Sequence, residues 1–224
     1  MELRVLETAD HSHTLYNPDL DETYHSVHGA LQESLHVFIQ HGLLPLMDGR
    51  PKLKIFELGF GTGLNCILSL QATNMSSTTI EYYGIEKYPV SSEVLKSLNY
   101  DIYLPDPEHK ILYKIMHKIA WGELIKIAPW FYLKKIKSDI FNFDTNEQFD
   151  LIYYDAFAPA KQPEMWSLEI LQKFYKLTAP GGVLVTYCAK GQFKRDLKQV
   201  GFVVHTLPGP KGKREMTKAT KPIE

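Results

Sequence analysis

The first chemical signal in the sequence is an acid-led glycine run, Glu57-Leu58-Gly59-Phe60-Gly61-Thr62-Gly63. It follows an apolar stretch with strand character and opens a stretch with helical spacing. Gly59 and Gly61 let the backbone turn tightly and approach a ligand with no Cβ in the way. Phe60, Thr62 and Gly63 complete the turn, and the helix start behind them offers free N–H groups. A dinucleotide fingerprint is spaced G-x-G-x-x-G and sets a pyrophosphate on the helix end. Here the spacing is G-x-G-x-G and a carboxylate leads it. Glu57 repels a pyrophosphate and suits a ligand bearing an ammonium group, such as the methionine end of S-adenosylmethionine. The competing reading is a plain strand-to-helix corner, where glycines are common.

Three further acids fall where strands are expected to end. Glu86 closes Tyr83-Gly84-Ile85-Glu86-Lys87, where a carboxylate can accept both hydroxyls of a ribose. Lys87 is counted with it as a cofactor-side residue. Asp139 is placed to take a hydrogen bond from an adenine amino group, although an Asp there also caps turns. Asp155 ends the next strand, beside the expected sulfonium. Prolines 159 and 163 stiffen the loop after it, and Phe157 and Trp166 are candidates to stack on a flat base. The alternative is a loop whose aromatics fill the core.

These residues need a scaffold. Strands are expected over 53–58, 80–85, 130–140, 149–155 and 183–188, with helices over 62–70, 91–98, 164–177 and 192–200. A helical piece is expected around 111–127 and a helix over 27–39, while 1–26 reads as polar and turn-rich. Alternating strands and helices imply an α/β fold with a mostly parallel sheet covered on both faces. Short strands at 202–206 and 215–217 invite a final antiparallel hairpin. The expectation is a Rossmann-like, class I methyltransferase fold: a seven-stranded sheet, an N-terminal extension over 1–50, the catalytic domain over 51–224, and an insertion near 99–130. Such sheets bind ligands at their strand carboxyl ends.

The 224 residues carry a formal charge of −1, so the overall balance does not mark a nucleic-acid binder. The C-terminal stretch is basic nonetheless, with Lys190, Lys194, Arg195, Lys198, Lys211, Lys213 and Arg214. That asymmetry allows a local anionic partner or a solvated face. Cys66 and Cys188 form no C-x-x-C and read as buried thiols in a reducing compartment, which points to the cytoplasm. No signal peptide and no apolar run near the ~20 residues of a membrane span is evident. Six of the nine histidines lie between His11 and His41 without metal-site spacing, so no metal is expected.

The run Asp155-Ala156-Phe157-Ala158-Pro159-Ala160-Lys161-Gln162-Pro163-Glu164-Met165-Trp166 closely resembles the methyltransferase part of the bacterial MnmC family of tRNA-modifying enzymes. The glycine run extended through Leu64-Asn65 does so too. Tyr24-His25-Ser26 with Glu33-Ser34 is similar to that family's opening segment. Gly201-Phe202 with Pro208-Gly209-Pro210 and Gly212-Lys213-Arg214-Glu215-Met216 is similar to its closing segment. The resemblance spans roughly residues 20 to 217. It implies S-adenosylmethionine-dependent methylation of the 5-aminomethyl group of a wobble uridine, completing 5-methylaminomethyl-2-thiouridine. It implies tRNA, through its anticodon arm, as partner. The flavin oxidase of the two-domain members is not expected, so the chain resembles a stand-alone methyltransferase form.

On that resemblance, the donor is held by Glu57, Gly59, Phe60, Gly61, Thr62, Gly63, Glu86, Lys87, Asp139 and Asp155. Asp155 also holds the acceptor amine. The acceptor side falls to Tyr24, Ser26, Glu33, Phe157, Pro159, Lys161, Met165, Trp166, Lys213 and Arg214, with the cations meeting phosphates. Two other readings stay open. One is a related enzyme that transfers a methyl or aminopropyl group to a small amine. The other is a non-catalytic RNA-binding domain that keeps the fold.

Overall fold

The computed structural model describes residues 2–74 and 76–223. The chain opens with β1 (Arg4–Glu7), β2 (His13–Asn17) and β3 (Glu22–Thr23), which pair antiparallel as a small sheet. A helical segment follows: α1 (Ala30–Ser34), a π-helical stretch (Leu35–Leu43) and α2 (Leu44–Met47). Then come β4 (Lys52–Leu58), α3 (Leu64–Ala72), β5 (Thr79–Glu86), α4 (Ser92–Lys96), α5 (Pro107–Lys118), β6 (Leu124–Ala128) and β7 (Phe131–Lys137). The C-terminal half holds β8 (Phe149–Tyr154), α6 (Leu168–Leu177), β9 (Thr178–Thr186), α7 (Gly191–Gln199), β10 (Val203–Pro208) and β11 (Glu215–Thr220).

The main sheet runs β10-β11-β9-β8-β4-β5-β7-β6. Its centre is parallel and its two edges are antiparallel. Side chains alternate between its faces, as strand geometry requires. Ile55, Tyr82 and Tyr153 pack in one apolar layer; their neighbours Phe56, Tyr83 and Tyr154 pack in the other. Both faces are therefore covered, which explains why the central strands read as continuous apolar runs. α3 is buried from Leu64 to Leu70 because it packs on the sheet with the α1–π-helical segment on one flank and α5 on another. α6 shows one apolar stripe instead, and the Ser167 hydroxyl caps it by accepting from the Ile170 N–H.

The connection crosses over between β4 and β8. β4 leads through α3 and β5 toward one edge, and β8 leads through α6 and β9 toward the other. The loops after β4 and β8 part there and leave a crevice at the strand carboxyl ends.

The sheet has eight strands, one more than the sequence pattern implies. The helix expected around 111–127 stops at Lys118. Gly122, at φ +92, turns the chain, and its N–H donates to the Lys135 carbonyl at 2.7 Å. That reversal lays β6 antiparallel on the edge strand β7. The N-terminal stretch is a small sheet rather than a string of turns. β9 also starts earlier than expected and runs through Pro180-Gly181-Gly182 with a register irregularity against β8. No helix among the described residues is long and apolar enough to cross a membrane.

Gly84, in the middle of β5, leaves room for Phe60 of the glycine corner; a Cβ there would run into the phenyl ring. Gly84→Ala is therefore expected to destabilise the fold by about 1–3 kcal/mol through overpacking. Thermal melts check this, and Phe60→Leu in the same chain should recover part of the loss.

Candidate active site

The crevice is lined by the ends of β4, β5, β7 and β8 and closed on one side by the N-terminal sheet. Gly59 has φ +86, and a Cβ on it would lie 2.7 Å from the Asp155 carbonyl oxygen. The Asp155 N–H donates to the Leu58 carbonyl at 3.2 Å. The corner after β4 and the end of β8 thus touch backbone to backbone, which only glycine permits at that φ. Gly61, at φ +48, sends its N–H to Glu86 Oε2 at 3.0 Å, while the Tyr88 N–H donates to Oε1 at 2.8 Å. Glu86 lines the crevice, and a carboxylate has acceptor capacity beyond these two bonds.

Glu57 is 1% exposed. Its Oε1 accepts from Asn65 Nδ2 at 2.9 Å, its Oε2 makes no close hydrogen bond among the described residues, and the buried Tyr82 hydroxyl acts on the carboxyl as a weaker donor. The same Asn65 nitrogen donates to Asp155 Oδ2 at 2.8 Å. Burial pushes the Glu57 carboxyl well above the usual range, and the Asp155 charge adds to it. Burial likewise lifts Asp155 to about 7; the Glu33 charge adds, while the Asn65 hydrogen bond and Lys213 oppose. Glu86 is raised by burial against the pull of its backbone donors. Three carboxyls with raised affinity for protons surround one crevice. A cation entering beside Glu57 and Asp155 would favour their ionised forms.

The rim comes from two directions. Tyr24, after β3, meets Phe157 edge to face with ring centres 5.1 Å apart. Burial raises the Tyr24 phenol and holds it neutral. His25 is buried, which lowers its imidazole to about 4 and keeps it uncharged at neutral pH. Asn17, Asp19 and Leu20 complete that side, and Met165 and Gln162 the other. Lys87 and Asp139 pair at 2.8 Å on the wall, and Asp139 also accepts from the Phe141 N–H at 3.1 Å. Asp139 is therefore a turn cap that still faces the crevice.

Of the expected donor-side residues, only Gly63 stands off the crevice. At φ +72 it starts α3, and its Cα faces Met116 and His117 of α5. On the acceptor side Tyr24, Phe157 and Met165 line the crevice. Ser26, Glu33, Pro159, Lys161, Lys213 and Arg214 lie outside that lining. The Ser26 N–H donates to Glu33 Oε1 at 3.1 Å, and Glu33 is ion-paired with Lys213. Lys213 also sits 3.8 Å above the Tyr187 ring. Lys161 pairs with Asp21 at 3.1 Å. Trp166 differs most from expectation. It is 7% exposed, packs on Tyr154 and Phe193, and its indole N–H donates to the Phe157 carbonyl at 2.8 Å. In that position it has no face to offer a base; it braces the loop that presents Phe157.

Asn65 was not among the expected site residues, nor were His25, Tyr88 and Gln162. A signal for Asn65 was present: it is the lone amide in the apolar run Leu64-Asn65-Cys66-Ile67-Leu68, two residues past Gly63. His25, Tyr88 and Gln162 reach the crevice through loop paths that no periodicity encodes.

The family described as S-adenosyl-L-methionine-dependent methyltransferase matches residues 115–222, which include Asp139 and Asp155. The bifunctional tRNA 5-methylaminomethyl-2-thiouridine biosynthesis protein MnmC of Cupriavidus necator is 32% identical over 92% of this chain. The chain is similar over nearly its whole length to the methyltransferase part of MnmC proteins. It spans about a third of the length of the curated relatives it matches, 32% of the Cupriavidus protein. The crystal structure of MnmC2 from Aquifex aeolicus superposes with a TM-score of 0.82 at 26% identity, covering 99% of this chain and 72% of that one. Spermidine synthase from Thermotoga maritima shares the fold, with a TM-score of 0.56 at 17% identity over 100% of this chain and 75% of that one.

The site fits S-adenosyl-L-methionine on its own geometry. One oxygen of the buried Glu57 carboxyl makes no close hydrogen bond, the glycine corner sets Gly61 against Glu86 at the crevice, and burial leaves Glu57 and Asp155 disposed to take a cationic ligand. Asp155 sits at about 7, so a cation entering at lower pH must displace its proton. S-adenosyl-L-methionine affinity is expected to rise about tenfold between pH 6 and pH 8. Calorimetry at the two pH values measures this, and Asp155→Asn should flatten the dependence.

Proposed function

We propose that this chain methylates the amine of a 5-aminomethyl group on the wobble uridine of tRNA, forming 5-methylaminomethyl-2-thiouridine. The reading rests on one arrangement above all: the Asp155 carboxyl, raised to about 7, faces the crevice beside the glycine corner. The substrate class follows the MnmC relatives, which are tRNA 5-methylaminomethyl-2-thiouridine biosynthesis proteins.

When bound, S-adenosyl-L-methionine supplies a methyl group on a positively charged sulfur. In this reading Glu57 Oε2 holds its ammonium, Glu86 its ribose hydroxyls, and Asp139 with Lys87 its adenine edge. Gly59 and Gly61 let the backbone approach. Thr62 and Phe60 close the corner. Asp155 receives the acceptor amine. An alkylamine is charged at neutral pH, like lysine at ~10.4, and must lose a proton before its lone pair can attack. A carboxyl near 7 is a better proton acceptor than an ordinary carboxylate, and it orients the lone pair by hydrogen bond. Excluding water and fixing geometry supply the rest.

Tyr24 and Phe157 form the aromatic edge against which the uracil ring stacks, with Met165 beneath. Residues 1–50 act as an extension that closes the crevice of the 51–224 methyltransferase domain. Lys161 and Lys213 are held by Asp21 and Glu33, so phosphates of the anticodon arm meet them as triads with those acids. Lys211 and Arg214 are exposed and meet phosphates directly. A wobble base lies in a single-stranded loop and enters without breaking a duplex. tRNA modification with two buried free thiols fits a cytoplasmic setting.

The test uses labelled donor and tRNA from cells blocked before this methylation, followed by digestion to nucleosides. Label is expected in a methylaminomethyl uridine, with kcat lowered about 100-fold by Asp155→Asn. Label only in small amines, or an Asp155→Asn turnover within about threefold of the parent, contradicts the proposal.

A further inference from the structure

Glu57 ends β4 and Asp155 follows β8, on either side of the crossover between the two halves of the sheet. Among the described residues, Asn65 alone is hydrogen-bonded to both acids. Its NH2 spans them at 2.9 Å and 2.8 Å, so the amide nitrogen faces one carboxyl oxygen of each acid. The outward Oδ1 is buried without a donor. A buried amide that leaves its own acceptor unsatisfied is costly, so packing alone does not account for it.

Asn65 is itself braced. Ser69, one turn on, donates to the Asn65 carbonyl at 2.7 Å, and its oxygen lies 3.0 Å from the Tyr153 hydroxyl of β8. A connected path therefore runs from β8 through Tyr153, Ser69 and Asn65 back to Asp155.

We propose that Asn65 is a positioning residue that joins the donor and acceptor halves of the site. It engages one oxygen of each acid, leaving Glu57 Oε2 for the donor's ammonium and Asp155 Oδ1 for the acceptor amine. Through this bridge the proton-accepting strength of Asp155 is set by the amide as well as by burial. The other groups bearing on Asp155 are Glu57 on β4, Glu33 on α1, Lys213 in the β10–β11 loop and Tyr187 after β9. The inference rests on the function proposed above.

The experiment compares pH–rate profiles of the parent, Asn65→Leu and Asn65→Ala on aminomethyl-tRNA. Leucine matches the branching of asparagine and removes the N–H donors. Loss of the bridge should move the acid limb of kcat upward by about half a pH unit or more. Turnover at neutral pH should fall about tenfold and recover partly at higher pH, with donor affinity changing less than kcat. Superimposable limbs overturn the inference, whatever the melting temperatures do. If neither variant folds, the parent protein decides: the Asn65 side-chain amide resonances should titrate with the Asp155 midpoint near 7. Resonances that do not move across that range overturn it. A parent inactive on aminomethyl-tRNA at every pH would instead defeat the functional proposal itself.

Discussion

The structure depends on one unusual burial: the Glu57 carboxyl lies inside the protein with one oxygen that makes no close hydrogen bond among the described residues. Leaving a buried polar acceptor unpaired costs about 1–3 kcal/mol, and more when it is charged. A second carboxylate sits across a single bridging amide and makes ionisation harder still. No stability argument favours such an arrangement. It becomes favourable when a cation arrives, because the same low dielectric that penalises a lone anion strengthens an ion pair. The site is therefore built for positive charge before any ligand is considered.

The fold serves that constraint through backbone contact. Gly59 brings the corner after β4 against the carbonyl of Asp155, and Gly61 gives its N–H to Glu86. Three acids from three strand ends are locked to one another by main-chain atoms, which vary little with thermal motion. The N-terminal segment contributes the softer part. Tyr24 crosses over the corner to meet Phe157, and Asp21 and Glu33 hold the two lysines at the mouth. Charge at the mouth is balanced pair by pair, in keeping with the near-zero net charge of the whole chain.

The residues proposed for the donor half were legible in the sequence, and all of them except Gly63 line one crevice. An acid before G-x-G-x-G and another acid at the next strand end have few other uses, and strand alternation is a strong local signal. The acceptor half was less legible because it depends on what packs behind each loop. Trp166 has the same type and spacing whether it faces a base or the core; the deciding partner is the Phe157 carbonyl, which only the folded loop brings near. Lys161 and Lys213 look free in sequence, since their partners Asp21 and Glu33 lie far away along the chain. β6 was hidden because the insertion's apolar residues fit a helix as well as a strand, and Gly122 decides the matter through a single turn. Asn65 was visible as an amide in an apolar helix, but its two partners come from different strands.

In the proposed function, Glu57 and Asp155 divide a bound S-adenosyl-L-methionine between its ammonium and its sulfur. A crystal structure with the demethylated product S-adenosylhomocysteine tests it most directly. The account predicts the ligand's amino nitrogen within hydrogen-bond distance, about 2.7–3.2 Å, of Glu57 Oε2, with the sulfur facing Asp155 and the ribose on Glu86. A ligand whose amino group turns away from Glu57, or whose sulfur points away from Asp155, would contradict it.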